Sequence, residues 1–238
     1  MRPDAELRLL CLPYAGGGTA DFRSWSAELP ATVDVCPVSL PGREQRLGER
    51  AFDKMEPLVQ ALVEDLAPVL RAAPWALYGH SMGAWIGFEL VRAARRHRLP
   101  LPVLLLCASR RAPHLASRLP LLSGLPESAF TDAVQERYGA IPDAIRNNPE
   151  ILRLFLPTMR ADFTLLDRYR YRDEPPLAVP IVAFRGKDDP VEPEPDLRAW
   201  SEHTSASFEL RTVPGGHFFL RESRSIVIGH VRGLLALV

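Results

Sequence analysis

The chain reads as an α/β protein in which a mostly parallel sheet is covered by helices on both faces. Two observations predict this. Six short runs are apolar throughout instead of alternating, as strands buried on both faces require. Several of those runs are followed by an amphipathic stretch of helical period, the alternation from which doubly wound sheets are built.

In chain order, the first strand is expected at Leu7–Leu12, followed by the glycine-rich Pro13-Tyr-Ala-Gly-Gly-Gly18 and a short helix near Ser24–Leu29. A second strand at Val33–Val38 precedes a helix over Met55–Leu70, and a third strand at Trp75–Tyr78 runs into a helix over Met82–His97. The fourth strand is Val103–Ala108, the fifth Ile181–Phe184 and the sixth Phe208–Val213. Helices are expected at Leu197–His203, ahead of the sixth strand, and at Ser225–Leu237, after it. One interval breaks the alternation. From about residue 120 to 172 the pattern is helical without a strand, as Glu127–Tyr138, Pro149–Phe155 and Thr158–Arg168, with Gly124, Gly139, Pro142 and Pro149 as breakers. Leu152, Leu154, Phe155, Leu156, Phe163, Leu165 and Leu166 exceed what one helix pair buries alone. The insertion is therefore expected to be a lid over the C-terminal edge of the sheet, where open α/β sheets bind ligands.

Composition narrows the function. A length of 238 residues, 47% of them apolar, fits one large domain, read here as a single unit over 1–238. No apolar stretch approaches the roughly 20 residues of a membrane span. The stretch Met1–Glu6 lacks the apolar segment of a signal peptide, which predicts a cytoplasmic protein. Three cysteines make a poor disulfide framework; Cys11 and Cys107 lie in strands, and Cys36 has no partner at ligand spacing, so neither metal nor cofactor is expected. Net charge is zero, which argues against nucleic acid as a partner. The cluster Arg92, Arg95, Arg96, His97 and Arg98 reads as cations complementing a helix C-terminus, or as a docking patch for an acidic partner.

The most informative pentapeptide is Gly79-His-Ser-Met-Gly83. A serine flanked by glycines at ±2, after a strand and before a helix, sits on the sharp turn that lifts its hydroxyl clear of a sheet as a nucleophile. Such a hydroxyl needs a base, and the base needs an orienting acid. Of six histidines, His217 is the candidate base, because it follows the last strand and Pro214-Gly-Gly216 on a loop before the final helix. His80 lies within the turn, His97 ends an Arg-rich helix, His114 sits in a loop, His203 reads as a helix-terminal surface residue and His230 lies in the last helix. The acid should come from the end of the fifth strand, where Gly186-Lys-Asp-Asp-Pro190 offers two carboxylates. Asp189 is chosen over Asp188, since it precedes proline in a fixed turn and meets a G-x-x-D spacing from Gly186. Acyl transfer also needs donors for a developing oxyanion. One is expected to be the amide of Met82 and the other an amide of the 13–18 loop.

Beyond these residues, whole blocks resemble the discrete (type II) thioesterases of polyketide and nonribosomal peptide biosynthesis. They are Pro13–Gly18, Leu40-Pro-Gly-Arg-Glu-Gln-Arg46, Gly79–Ala84, Ser109-Arg-Arg-Ala-Pro113, Leu156-Pro-Thr-Met-Arg-Ala-Asp162 with Tyr169-Arg-Tyr171, and Gly215-Gly-His-Phe-Phe219. Ala108, where glycine is expected, and the charged exit Arg172-Asp-Glu-Pro-Pro depart from that pattern. The resemblance implies an α/β-hydrolase fold with a helical lid, Ser81 as nucleophile, His217 as base, Asp189 as acid, and Ala15 with Met82 as oxyanion donors. It implies hydrolysis of acyl thioesters on the phosphopantetheine arm of an acyl or peptidyl carrier protein, removing aberrant or stalled acyl groups without a cofactor. A monomer is the default expectation. A general carboxylesterase with the same triad, a non-catalytic acyl-binding relative and a releasing thioesterase cut from a larger synthase are the competing readings. A start only six residues before the first strand favours a free-standing protein over the last of these.

Overall fold

A computed structural model describes Arg2 and residues 5–238. Residues 1, 3 and 4, part of the Met1–Glu6 stretch read above for a leader, lie outside the described residues. The strands are β1 (Leu7–Leu12), β2 (Val33–Pro37), β3 (Trp75–His80), β4 (Leu104–Ala108), β5 (Ile181–Gly186) and β6 (Phe208–Val213). They form one sheet in the order β2-β1-β3-β4-β5-β6, parallel at every pairing. The helices are α1 (Ala20–Arg23), α2 (Met55–Ala72), α3 (Met82–Arg96), α4 (Glu127–Tyr138), α5 (Asp143–Arg146), α6 (Pro149–Arg168), α7 (Glu194–Arg198), α8 (Phe219–Glu222) and α9 (Arg224–Leu235). This is the expected α/β-hydrolase architecture.

Why the central strands are apolar throughout is visible in the core. Side chains of successive strand residues leave opposite faces of a sheet. Leu10, Leu12, Leu77, Leu105, Cys107, Ile181 and Ala183 pack on one face with α2 and α3. Leu9, Cys11, Ala76, Tyr78, Leu106, Val182 and Phe184 pack on the other with Phe22, Trp25, Phe219 and α9. Both faces are covered along the central strands. The two edge strands are more open: β2 is partly exposed from Val35 to Pro37, and in β6 Val213 alone is fully buried.

Three local expectations are corrected. The two helices expected at Pro149–Phe155 and Thr158–Arg168 are one continuous helix, α6, with Pro157 inside it. Proline removes one intrahelical bond, but Pro157 is exposed, so water can satisfy the freed carbonyl, and Leu156, Met159, Phe163 and Leu166 bury the opposite side. Leu154 does not join that core; it is 63% exposed. His203 is no surface residue. It is 5% exposed, and its Nε2 lies 2.7 Å from His114 Nδ1 against the rings of Phe88 and Trp200.

Between β4 and β5 the chain contributes α4, α5 and α6 and no strand. Its exit is tied down by the arginine cluster on α3. Glu174 accepts ion pairs from Arg92, Arg95 and Arg96 at 2.7–2.9 Å, and Arg95 Nη1 also donates to the Pro175 carbonyl. Much of the charge read as a docking patch is thus spent inside the fold.

Candidate active site

The turn at Ser81 is built by what glycine lacks. A Cβ at Gly79 would meet the carbonyl of Gly83, and one at Gly83 would meet the carbonyl of Leu12 on β1. With both absent, α3 starts directly against the end of β3. Ser81 itself takes φ 52° and ψ −111°, a region that L-residues occupy only when the surroundings enforce it. Here the Ser81 amide donates to the Ala108 carbonyl at 2.8 Å, which locks the elbow to β4. Only the backbone of Ala108 is used, so its departure from glycine leaves this contact intact.

His217 and Asp189 arrive from the ends of β6 and β5. A Cβ on Gly186 would collide with the carbonyls of Gly215 and Gly216, so glycine there allows the His217 loop to lie against the Asp189 turn. His217 Nε2 lies 3.0 Å from Ser81 Oγ, and His217 Nδ1 lies 2.9 Å from Asp189 Oδ2. The other oxygen of Asp189 accepts the amides of Val191 at 2.9 Å and Glu192 at 3.3 Å. Burial pushes the Asp189 carboxyl up. The hydrogen bond and charge of His217, with those two amides, outweigh it and hold the group below its ordinary value. Asp188 is exposed and makes no such contact; its amide donates to the Gly215 carbonyl.

Two supporting residues were not singled out from the sequence. The His217 carbonyl is gripped by the Ser109 hydroxyl and by His80 Nε2, each at 2.8 Å. His80 is fully buried, and burial first, then the neighbouring His217, lowers its pKa to about 3. It therefore donates from a neutral ring. Its place inside the glycine-flanked pentapeptide was a usable signal; for Ser109 the usable one was its position directly after β4.

The glycine loop is fixed from outside. Gly16 N–H donates to Asp162 Oδ2 at 2.7 Å, and Gly17 N–H to the Tyr14 carbonyl at 2.9 Å. Arg43 holds Asp162 bidentately, with Nη2 to Oδ1 at 2.7 Å and Nη1 to Oδ2 at 2.9 Å, while Nη1 also donates to the Gly17 carbonyl. The pair is buried. The Pro-Gly-Arg-Glu and Arg-Ala-Asp blocks, far apart in sequence, are thus two halves of one clamp on the glycine loop. Glu44 completes it by accepting the Thr19 amide at 3.0 Å. Among the described residues, the amides of Ala15 and Met82 donate to no backbone or side-chain acceptor. Ala15, Ser81 and His217 share the wall of a small cavity of about 10 Å³, closed by Tyr138, Phe163 and Leu166 from the helical segment.

A serine, histidine and aspartate in one hydrogen-bonded line at the C-terminal edge of a parallel sheet can transfer an acyl group. Comparison with known proteins gives that chemistry a family. The thioesterase domain family matches residues 7–235. The gramicidin S biosynthesis protein GrsT of Aneurinibacillus migulanus is 37% identical over 234 residues, 98% of this chain and 91% of that protein. Among solved structures, the RedJ thioesterase of the prodiginine pathway in Streptomyces coelicolor superposes with a TM-score of 0.90 at 37% identity, over 98% of this chain and 92% of that one. The type II thioesterase BorB of the borrelidin biosynthetic cluster does so with a TM-score of 0.83 at 36% identity, over 97% and 92%. A family match that spans nearly all of the sheet and helices, with relatives above 30% identity along both chains, leaves one assignment: the chain belongs to the thioesterase domain family.

Proposed function

We propose that the protein is a discrete editing thioesterase, which hydrolyses acyl groups from the phosphopantetheine arm of acyl or peptidyl carrier proteins in polyketide or nonribosomal peptide assembly. The observation that carries the reading is the unbroken line Ser81 Oγ, His217 Nε2, His217 Nδ1, Asp189 Oδ2, with both contacts within hydrogen-bond reach. The similarity to GrsT, a gramicidin S biosynthesis protein, and to BorB, a type II thioesterase of the borrelidin biosynthetic cluster, supports this reading.

Ser81 Oγ attacks the thioester carbonyl while His217 Nε2 takes its proton. Asp189 orients the ring and stabilises the imidazolium. The carbonyl electrons move onto oxygen, which the amides of Ala15 and Met82 receive; one such donor is worth about 3–4 kcal/mol in related sites. The intermediate collapses, the carbon–sulfur bond breaks, and the thiolate leaves with the proton from His217. Water then attacks the acyl-serine with His217 taking its proton, the second tetrahedral intermediate collapses as His217 returns that proton to Ser81 Oγ, and the acid departs. Residues 120–172 act as the lid that excludes bulk water and shapes the acyl site. The segment's contribution of Tyr138, Phe163 and Leu166 to the wall beside Ser81 supports that role.

The test is intact-protein mass spectrometry of a panel of acyl-carrier proteins incubated with the wild type and with Ser81→Ala. The wild type should convert acyl-carrier to free-thiol carrier. Ser81→Ala should not, while keeping the wild-type circular dichroism spectrum. Turnover by that variant overturns the triad assignment, and oxygen-ester turnover matching thioester turnover favours a general esterase.

A further inference from the structure

Arg110 is buried without the hydrogen bonds that buried guanidinium groups require. Its side chain is 9% exposed, yet no protein group accepts from any of its N–H donors among the described residues. Its nearest counter-charge, Glu192 Oε1, is 3.5 Å from Nη1, too far for a good bond, and both Nε and that oxygen are fully enclosed and unpartnered. Glu192 spends its other oxygen on the amide and Nε of Arg111 at 3.1 and 3.0 Å. One carboxylate thus faces two buried arginines, and the cluster holds an uncompensated positive charge.

The group is held firmly despite this. Its Cζ stacks 3.6 Å above the Trp85 ring, whose Nε1 donates to the Arg111 carbonyl at 2.9 Å. The Arg110 carbonyl accepts Trp200 Nε1 at 2.7 Å. Arg110 lines both the small cavity at Ser81 and a neighbouring cavity of about 430 Å³, and Tyr138, Phe163 and Leu166 form the rest of the shared wall. Among the described residues, the one carboxylate lining that larger cavity, Asp167, is engaged by the amides of Leu122 and Ser123. A fork of donors on an aromatic shelf, beside the nucleophile and short of acceptors, is a device for recognising oxygen.

We propose that Arg110 is a specificity-determining residue that donates hydrogen bonds to an oxygen on the acyl chain beyond the thioester carbonyl. The cavity then selects hydroxyacyl, oxoacyl or carboxyacyl groups over bare alkyl chains of the same length. A bare chain leaves the guanidinium desolvated and unpaired, which is the penalty that gives polar sites their discrimination. The proposal rests on the thioesterase reading above.

Three thioesters of one pantetheine test it: butyryl, 3-hydroxybutyryl and succinyl, with free thiol as the readout. In the wild type, kcat/KM for at least one oxygenated substrate should exceed that for butyryl by about 10-fold or more. In Arg110→Met that ratio should fall towards one. Both substrates are turned over by the same folded fraction, so the ratio is independent of how well the variant folds. Arg110→Lys, which keeps the charge but loses the planar fork, should give an intermediate ratio. A higher ratio for succinyl assigns the acceptor as a carboxylate, and one for 3-hydroxybutyryl as a neutral oxygen; either supports the proposal. A wild-type ratio near one overturns it, as does an unchanged ratio in Arg110→Met with both substrates slowed, which makes Arg110 a contact to the pantetheine. If none of the three is hydrolysed, the thioesterase reading falls and this inference with it.

Discussion

Replacing Arg43 by methionine tests whether the clamp on the glycine loop holds the catalytic geometry together. The substitution keeps the buried volume nearly constant and removes three hydrogen bonds, two to Asp162 and one to the Gly17 carbonyl. The Asp162 side chain, 3% exposed, is left with the Gly16 amide as its remaining partner. Breaking one half of a buried pair costs about 3–5 kcal/mol, because the other charge stays desolvated. For a chain of this size each kcal/mol moves Tm by about 2–4 °C, so the melting temperature should fall by about 6–20 °C. Removing both charges in Arg43→Met/Asp162→Leu should recover part of that loss, since a buried pair and a well-packed apolar substitute are often close in stability. The penalty that remains is the unpaired Gly16 amide and Gly17 carbonyl, about 1–3 kcal/mol each. Activity should not recover in step. Ala15, the proposed oxyanion donor, is the residue next to Gly16, and losing one such donor costs about 10²–10³ in kcat. Thermal melts by circular dichroism and kcat on one acyl-carrier substrate, measured for both singles and the double, complete the cycle. A single variant that melts within about a degree of wild type refutes the energetic reasoning. A double variant that regains wild-type kcat refutes the positioning argument.

Two further outcomes follow from the same contacts. Gly186→Ala places a methyl against the carbonyls of Gly215 and Gly216, two residues and one residue before His217; a displacement of about 1 Å there should lower kcat by about 100-fold or more, and kcat within twofold of wild type would show that the loop absorbs the methyl elsewhere. The buried histidines set an acid limit on stability. His80, at about 3, and His203, lowered to about 4 by burial and then by His114, both lie below the 6.5 of an unfolded histidine. Between those values the unfolded chain binds more protons, so stability rises with pH across the window. The urea midpoint should therefore hold above pH 7 and fall steadily from about pH 6.5 towards pH 4, and a midpoint unchanged between pH 7 and pH 5 would contradict the neutral, buried assignment.

What the sequence made legible was whatever rests on neighbours in the chain. Strands such as Leu104–Ala108 announced themselves because burial on both faces leaves no polar position in them. Ser81 was legible because its turn demands glycine at fixed offsets. His217 and Asp189 were legible from chain order and from the breakers beside them. What stayed hidden depends on partners far away. Nothing local marks Glu174 as the acceptor for three arginines on α3, so their charge read as surface. Nothing local distinguishes His203 from an exposed helix end until His114 is folded against it. The gap expected between Phe155 and Thr158 is absent because burial of the opposite face of α6 carries the helix through Pro157.

The clamp and the wall of the proposed acyl site meet on a single helix, and on that reading this constrains how substrate can enter. The space at Ser81 is small, about 10 Å³, and Phe163 and Leu166 of α6, with Tyr138 at the end of α4, line it. Asp162, next to Phe163, is the residue that holds Gly16, so a shift of α6 large enough to admit a chain would also drag the glycine loop away from Ser81. Tyr138 carries no such burden. Its ring rests 5.1 Å from that of His217, and α4 ends after it at Gly139, in the left-handed region with φ 61° and open space around it. Tyr138 stands between the space at Ser81 and the 430 Å³ cavity that it also lines, beside the guanidinium of Arg110, so displacing its ring would join the two. On the proposed mechanism that route leaves the Ala15 amide in place, with α6 as the fixed wall of the site and the end of α4 as the yielding one.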